Sequence, residues 1–300
     1  MKKSLTIIIA STAGESALAE CLRALLPDLD QDTKIIVVPH GIDGGAEHTH
    51  EYVAHVRFLP NSSLPAMLAS AVELAQSDLI AFTDSTCVPS LGWVNSVRDA
   101  HADQSLVIGG SVEMGDKYRT FADWAAFFCD YAQFMSPASP GVVNAVPGNN
   151  FSVKREALAI GQEFVKNEFW KSLWCSALIS QGFQLISIPS ISVKWEKRQK
   201  AVEFLSGRYT KGRDFAAART ADRPALNRIP LAIGSLVLPL LMIARSTRTA
   251  LIKRRYLLHF LASFPVIAAA AAAWAAGELV GYIVPRSKVA APLVDTVHRA

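Results

Sequence analysis

The chain of 300 residues can bury a sizeable core, and its formal charge of +4 is too small and too localised for a general nucleic-acid binder. A hydrophobic fraction of 51% and a mean hydropathy of +0.24 are high for a purely soluble chain, and the apolar excess lies in the last quarter. Four cysteines (Cys21, Cys87, Cys129, Cys175) stand far apart with no CxxC pair, which argues against a zinc or disulfide framework and for a reducing compartment.

LTIIIA (5–10) reads as a buried strand, its apolar run being shorter than a secretory leader needs. Residues 16–26 read as a helix with apolar positions at Leu18, Leu22, Leu25 and Leu26. KIIVVP (34–39) and HVRFLP (55–60) read as strands, 64–76 as a helix and DLIAFTD (78–84) as the next strand. Uniformly apolar strands separated by helices predict a parallel sheet covered on both faces, whose ligands bind beyond the carboxyl ends of the strands. Residues 11–15, 39–45 and 84–89 are such ends, so three loops converge. His40, His48, His50 and His55 share a polar loop, but their spacing matches no common metal-ligand pattern.

SLVIGGSVEM (105–114) reads as a strand or hairpin piece, 121–134 as an aromatic-rich helix and VPGNNFSVKREAL as loop, strand and helix in turn. Residues 168–181 read as a helix ended by Gly182, FQLISIP as a strand, and 194–228 as a basic linker or surface helix. Residues 229–244 are apolar but contain Pro230 and Pro239, and at ~1.5 Å per residue they span roughly 24 Å, short of a ~30 Å hydrocarbon core. Residues 260–277 are uncharged and the better candidate for a full span. The basic segment ARSTRTALIKRRY between them opposes a crossing by the first stretch, which favours interfacial or re-entrant helices over a buried hairpin in a soluble protein. Glu278, flanked by Gly277 and Tyr282, reads as part of an interfacial turn.

Short motifs run from SDLIAFTD with Cys87, Pro89 and Gly92-Trp93-Val94, through Gly109-Gly110 and Pro147-Gly148-Asn149-Asn150 with Lys154-Arg155, to Gly182-Phe183, Ile188-Pro189 and Gly212-Arg213. The tail Trp274-Ala-Ala-Gly277-Glu278-Leu-Val-Gly281-Tyr282 closes the series. In this order the motifs resemble family 2 glycosyltransferases of the membrane-associated bacterial type. The resemblance implies an α/β GT-A fold, Rossmann-like with a mostly parallel sheet, followed by C-terminal hydrophobic helices. It implies a transferase-like domain over 1–200, a basic linker or surface helix over 201–228, membrane-associated helices over 229–285 and a tail over 286–300.

The implied chemistry moves a sugar from a nucleotide-diphosphate donor to a lipid-linked or polysaccharide acceptor of the cell envelope. The catalytic domain would face the cytoplasm, with membrane lipids as partners and no nucleic acid. The resemblance places Ser11, Glu15, His40, Asp84, Thr86, Asn149, Asn150 and Arg213 at the donor, Asp84 as the metal ligand, and Glu168 and Lys171 in catalysis. The motifs are degenerate. Pro39-His40 replaces an acidic residue, Thr86 the second metal ligand, Lys171 the base and Trp195 a histidine. A hydroxyl is a poor substitute in charge for a carboxylate, so a requirement for Mn²⁺ or Mg²⁺ is expected to be weakened or absent. Glu168, three residues before Lys171 on the expected helix, would share its face and take the acceptor's proton. The alternative is a catalytically inactive membrane scaffold or sugar-nucleotide-binding protein with the same fold.

Overall fold

The computed structural model describes residues 3–39, 53–55, 62–221 and 224–284, which divide into two compact units. The first takes in residues 3–113 and Ala138–Glu196, and the second takes in Met114–Pro137 and residues 197–284.

The first unit is built on β1 (Leu5–Ser11), β2 (Thr33–Pro39), β3 (Val53–His55), β4 (Leu79–Asp84) and β5 (Cys87–Pro89). β6 (Val107–Met114), β7 (Gly141–Val143), β8 (Asn150–Lys154) and β9 (Leu185–Trp195) complete the sheet. Its order is β3-β2-β1-β4-β8-β6-β9-β5, with β7 also paired to β9. The β3-β2-β1-β4 half is parallel, as the apolar runs predict, but β8 joins β4 antiparallel, as do β6 to β8 and β9 to β5. The sheet is therefore mixed. The expected strand over 55–60 lies outside the described residues except for His55.

Helices α1 (Glu15–Leu25), α2 (Leu64–Leu74), α3 (Trp93–Ala100) and α5 (Lys171–Ser180) belong to this unit, and α4 (Phe121–Asp130) to the other. Side chains alternate across a strand. Ile8, Ile80 and Phe82 thus join Met67 and Val72 of α2 and Trp174 of α5 in one core cluster. Phe82 stacks on Phe151 and Phe169 with ring centroids 4.4 and 5.0 Å away. α1 buries Leu18, Cys21, Leu22 and Leu25 along one face, matching its apolar spacing.

The expected helix over 168–181 starts only at Lys171, so Glu168 precedes it and the shared-face argument fails. Phe169, drawn into the aromatic stack, and Trp170, at the N-cap with a non-helical ψ of 81°, hold the chain out of the helix until that point.

The second unit packs α4, α6 (Ala201–Arg219), α7 (Ile229–Ser235) and α8 (Leu238–Lys253) against α9 (Leu257–Ile283). The stretch read as linker or surface helix is α6, a 19-residue helix lying along α9. A Cβ on Gly277 would lie 2.1 Å from the Tyr209 carbonyl, one on Gly281 2.3 Å from that of Arg213, and one on Gly212 2.4 Å from that of Trp274. Gly277 and Glu278 accordingly sit inside a continuous helix rather than in an interfacial turn, because absent side chains let two backbones meet. Buried Glu278 accepts from the Trp274 indole (2.6 Å) and the Tyr282 hydroxyl (2.8 Å). Arg208, also buried, pairs with Asp130 at 2.6 Å and lies over the Trp274 ring. α4 opens with a capping box in which the Thr120 and Asp123 side chains satisfy each other's backbone amides.

Candidate functional site

Parallel register places Ser11 beside Pro39 and Ala10 beside Asp84, so the carboxyl ends of β1, β2 and β4 form one edge. Ala10, Thr12 and Asp84 share a side by strand alternation, whereas Ser11 points the other way and is buried. The Thr12 hydroxyl reaches both carboxylate oxygens of Asp84, at 3.2 and 3.1 Å. Thr86 donates its backbone amide (2.8 Å) and its hydroxyl (2.7 Å) to Asp84 Oδ1. Ser85 ties the two strand ends, its amide donating to the Ala10 carbonyl and its Oγ accepting from the Thr12 amide. Thr86 is thus a buried donor that aims Asp84, not an outward ligand.

Behind this loop, the Asn149 carboxamide donates to Cys87 Sγ at 3.1 Å, while its own oxygen is buried without a hydrogen-bond partner. Such an acceptor is costly unless something meets it. Burial first, then the negative charge of Asp84, pushes the Cys87 thiol far above its ordinary range, and Cys21 shifts upward for the same two reasons. Both sulfurs are therefore protonated thiols and poor metal ligands.

Asn150 serves a different purpose. Its Nδ2 donates to the Ser111 and Ile191 carbonyls (2.7 and 2.9 Å), and its Oδ1 accepts from the Trp93 indole at 2.9 Å. Gly110 makes room for it, since a Cβ there would lie 2.3 Å from Asn150 Nδ2. The side chain expected at the donor is internal, crosslinking β6, β9 and α3.

Glu168 accepts from Ser63 Oγ at 2.8 Å and from the Trp170 indole at 2.9 Å, and Ser63 caps α2. Lys171 opens α5, and its ammonium donates to the Val146 carbonyl, three residues before Asn149. Burial pushes its pKa down, and the positive end of the helix dipole acts in the same sense. Glu15 is exposed in the first turn of α1, where its charge favours the helix start. Trp195, the histidine replacement, is buried opposite Cys87. Arg213 belongs to the second unit, exposed on α6 with Asp214 3.6 Å away. His40 lies outside the described residues.

The structure brings Asp84, Thr86, Ser11 and Asn149 to one edge and adds Thr12, Ser85 and Cys87, to which the sequence assigned no role in the site. Alternation would have found Thr12, two residues beyond Ala10 and in register with the face of Asp84. These residues do not fit a metal centre of the protein's own making. Hydroxyl donors hold Asp84, and among the described residues no group of three His, Cys, Asp or Glu side chains occurs.

No family model and no curated protein matches the sequence. Among solved structures, the chain is similar to a mannosyltransferase from Pyrobaculum calidifontis in complex with GDP-Man and Mn²⁺, with a TM-score of 0.56 and 14% identity over 93% of this chain and 88% of that one. It also aligns with GalNAc-T7 bound to UDP, GalNAc and Mn²⁺ (TM-score 0.48, 12% identity, 66% of this chain and 44% of that one). A mycobacterial protein aligns with a TM-score of 0.45 at 13% identity, over 73% of this chain and 74% of that one. The first likeness shows the architecture: the chain has the GT-A glycosyltransferase fold, followed by a long apolar C-terminal helix.

Proposed function

We propose that this chain is a glycosyltransferase of the family 2 type that moves a sugar from a nucleoside-diphosphate donor to a lipid-linked or envelope acceptor at the cytoplasmic face of the membrane. The observation that carries this reading is Asp84, held by Thr12 and Thr86 at the carboxyl edge of the parallel strands. In a sheet of this kind that edge is where nucleotides bind. The mannosyltransferase of similar fold carries GDP-Man and Mn²⁺, which supports a nucleotide-sugar partner.

On this reading Asp84 and Asn149 orient the donor, and Glu168 accepts the proton of the acceptor hydroxyl. The weak donor set predicts that binding needs little or no divalent cation. A second reading, nucleotide binding without transfer, is favoured by Lys171 at the family's base position and by the hold of Ser63 and Trp170 on Glu168.

Thermal unfolding of the detergent-purified chain with UDP, GDP and their sugars, with Mn²⁺ or with a chelator, tests the donor site. One nucleotide at a hundred times its Kd is expected to add about 2.7 kcal/mol, with or without the cation. Asp84→Ala should abolish that gain and Thr86→Val should reduce it. Failure of every nucleotide to stabilise the wild type would sink both readings, and sugar turnover would separate them.

A further inference from the structure

α9 passes a length test for a membrane span, being 27 residues with a mean hydropathy of 1.8 over its best window. Its surroundings argue for another use. One side of α9 is an exposed stripe without charge: Leu258, Leu261, Pro265, Ala269, Ala272 and Ala276. The opposite side is covered over its second half by α6, whose exposed residues include Glu203, Lys211 and Arg213. The contacts run in parallel from Arg208 at Trp274 to Arg219 at Tyr282. Towards its start, α9 is covered by Trp124 and Phe128 of α4, which meet His259 and Phe260.

A helix of 19 residues is ~28 Å long, close to the ~30 Å hydrocarbon thickness. If α9 crossed a bilayer, the exposed charges of α6 would be carried into the lipid with it, at a cost that membrane interiors rarely tolerate. The glycine contacts are too close for the pair to part without remaking the interface. The two helices form a slab that is polar on one side and apolar on the other.

α7 and α8 pack on α9 and add exposed apolar side chains of their own. Ile229, Ile233, Leu236, Val237, Leu240 and Leu241 are each more than half exposed. These helices meet at a 51° bend, and α8 turns basic after Ala244, so neither offers a span of its own. From position 224 to 277 the chain has six Arg and Lys residues and no Asp or Glu. Exposed Arg248 and Arg254 line a hollow together with Ala244, Thr247, Leu251 and Ile252, so two guanidinium groups share it with apolar side chains. Guanidinium groups match phosphate, and clustered basic residues favour an anionic lipid surface.

We infer that the second unit is a monotopic anchor, lying flat on an anionic bilayer with the α9 stripe and the α7–α8 bend in the acyl boundary and with Arg248 and Arg254 on lipid phosphates. The inference deepens the membrane part of the reading above and does not need the nucleotide site to work.

The full chain, transferred from detergent to sealed vesicles of phosphatidylcholine with or without phosphatidylglycerol, tests it by flotation and external trypsin. The expected result is flotation that prefers phosphatidylglycerol, with both the sheet unit and a tag placed after residue 300 open to trypsin. Each basic residue near the surface contributes enough that Arg248→Ala with Arg254→Ala should lower partitioning roughly thirtyfold on the anionic vesicles. Leu258→Glu with Leu261→Glu, at exposed positions that leave detergent-state melting unchanged, should abolish flotation. A tag protected inside the vesicles while the sheet unit is cut would mean a span and overturn the inference. So would a chain that ignores both vesicles and runs as a dimer, since a second copy would then cover the stripe. Nucleotide stabilisation in detergent is read separately, so the donor site and the anchor can fail independently.

Discussion

Replacing Asn150 by alanine would strip partners from three buried groups together: the Trp93 indole and the carbonyls of Ser111 and Ile191. Each buried group left unmet costs ~1–3 kcal/mol, so Asn150→Ala should destabilise the chain by about 3 kcal/mol or more in urea unfolding. A donor contact would instead lose nucleotide stabilisation with little change in basal stability. His101 offers a pH test. It is fully buried, with its ring nitrogens on the Ser105 carbonyl and Ser152 Oγ, and burial is the main cause that pushes its pKa down from 6.5 to about 4. Between those values the unfolded chain binds the proton and the native state does not, so stability falls as pH drops from about 6.5 towards about 4. The loss is ~3 kcal/mol across that window. The stability difference between wild type and His101→Gln, measured by urea titration at stepped pH, should carry this slope, since other groups titrate alike in both.

At the scale of the element, the close approach of α6 and α9 rests on residues that have no side chain to exclude. Gly277→Leu would place atoms on the Tyr209 carbonyl, and its cost should reach or exceed ~3 kcal/mol, the upper range for overpacking. Ala276→Leu, one residue away and exposed, should shift detergent-state melting little. This packing was hard to see in the sequence because α6 has no apolar stripe to announce a partner, and its buried positions include Arg208 and Gly212. The strands of the parallel half were legible because burial on both faces leaves uninterrupted apolar runs. The start of α5 was not, since Glu168-Phe169-Trp170 is compatible with a helix until the aromatic stack claims Phe169. Asp84 could be read from its place at a strand end. Its ring of hydroxyls could not, because Thr12 lies some seventy residues away and only register brings it there.

The whole molecule divides its labour between a sheet unit that presents an acidic strand end and a helical unit that presents exposed apolar side chains together with cations. That helical unit is discontinuous in the chain: Met114–Pro137 interrupts the sequence of the sheet unit, and its partners arrive only after residue 197. During synthesis, therefore, the aromatic face of α4, with Trp124, Phe127 and Phe128, emerges more than a hundred residues ahead of the Tyr256, His259 and Phe260 that cover it. Until the last helix leaves the ribosome this face lacks the aromatic partners that Tyr256, His259 and Phe260 supply, and a nascent chain stalled before residue 256 is a natural client for a chaperone.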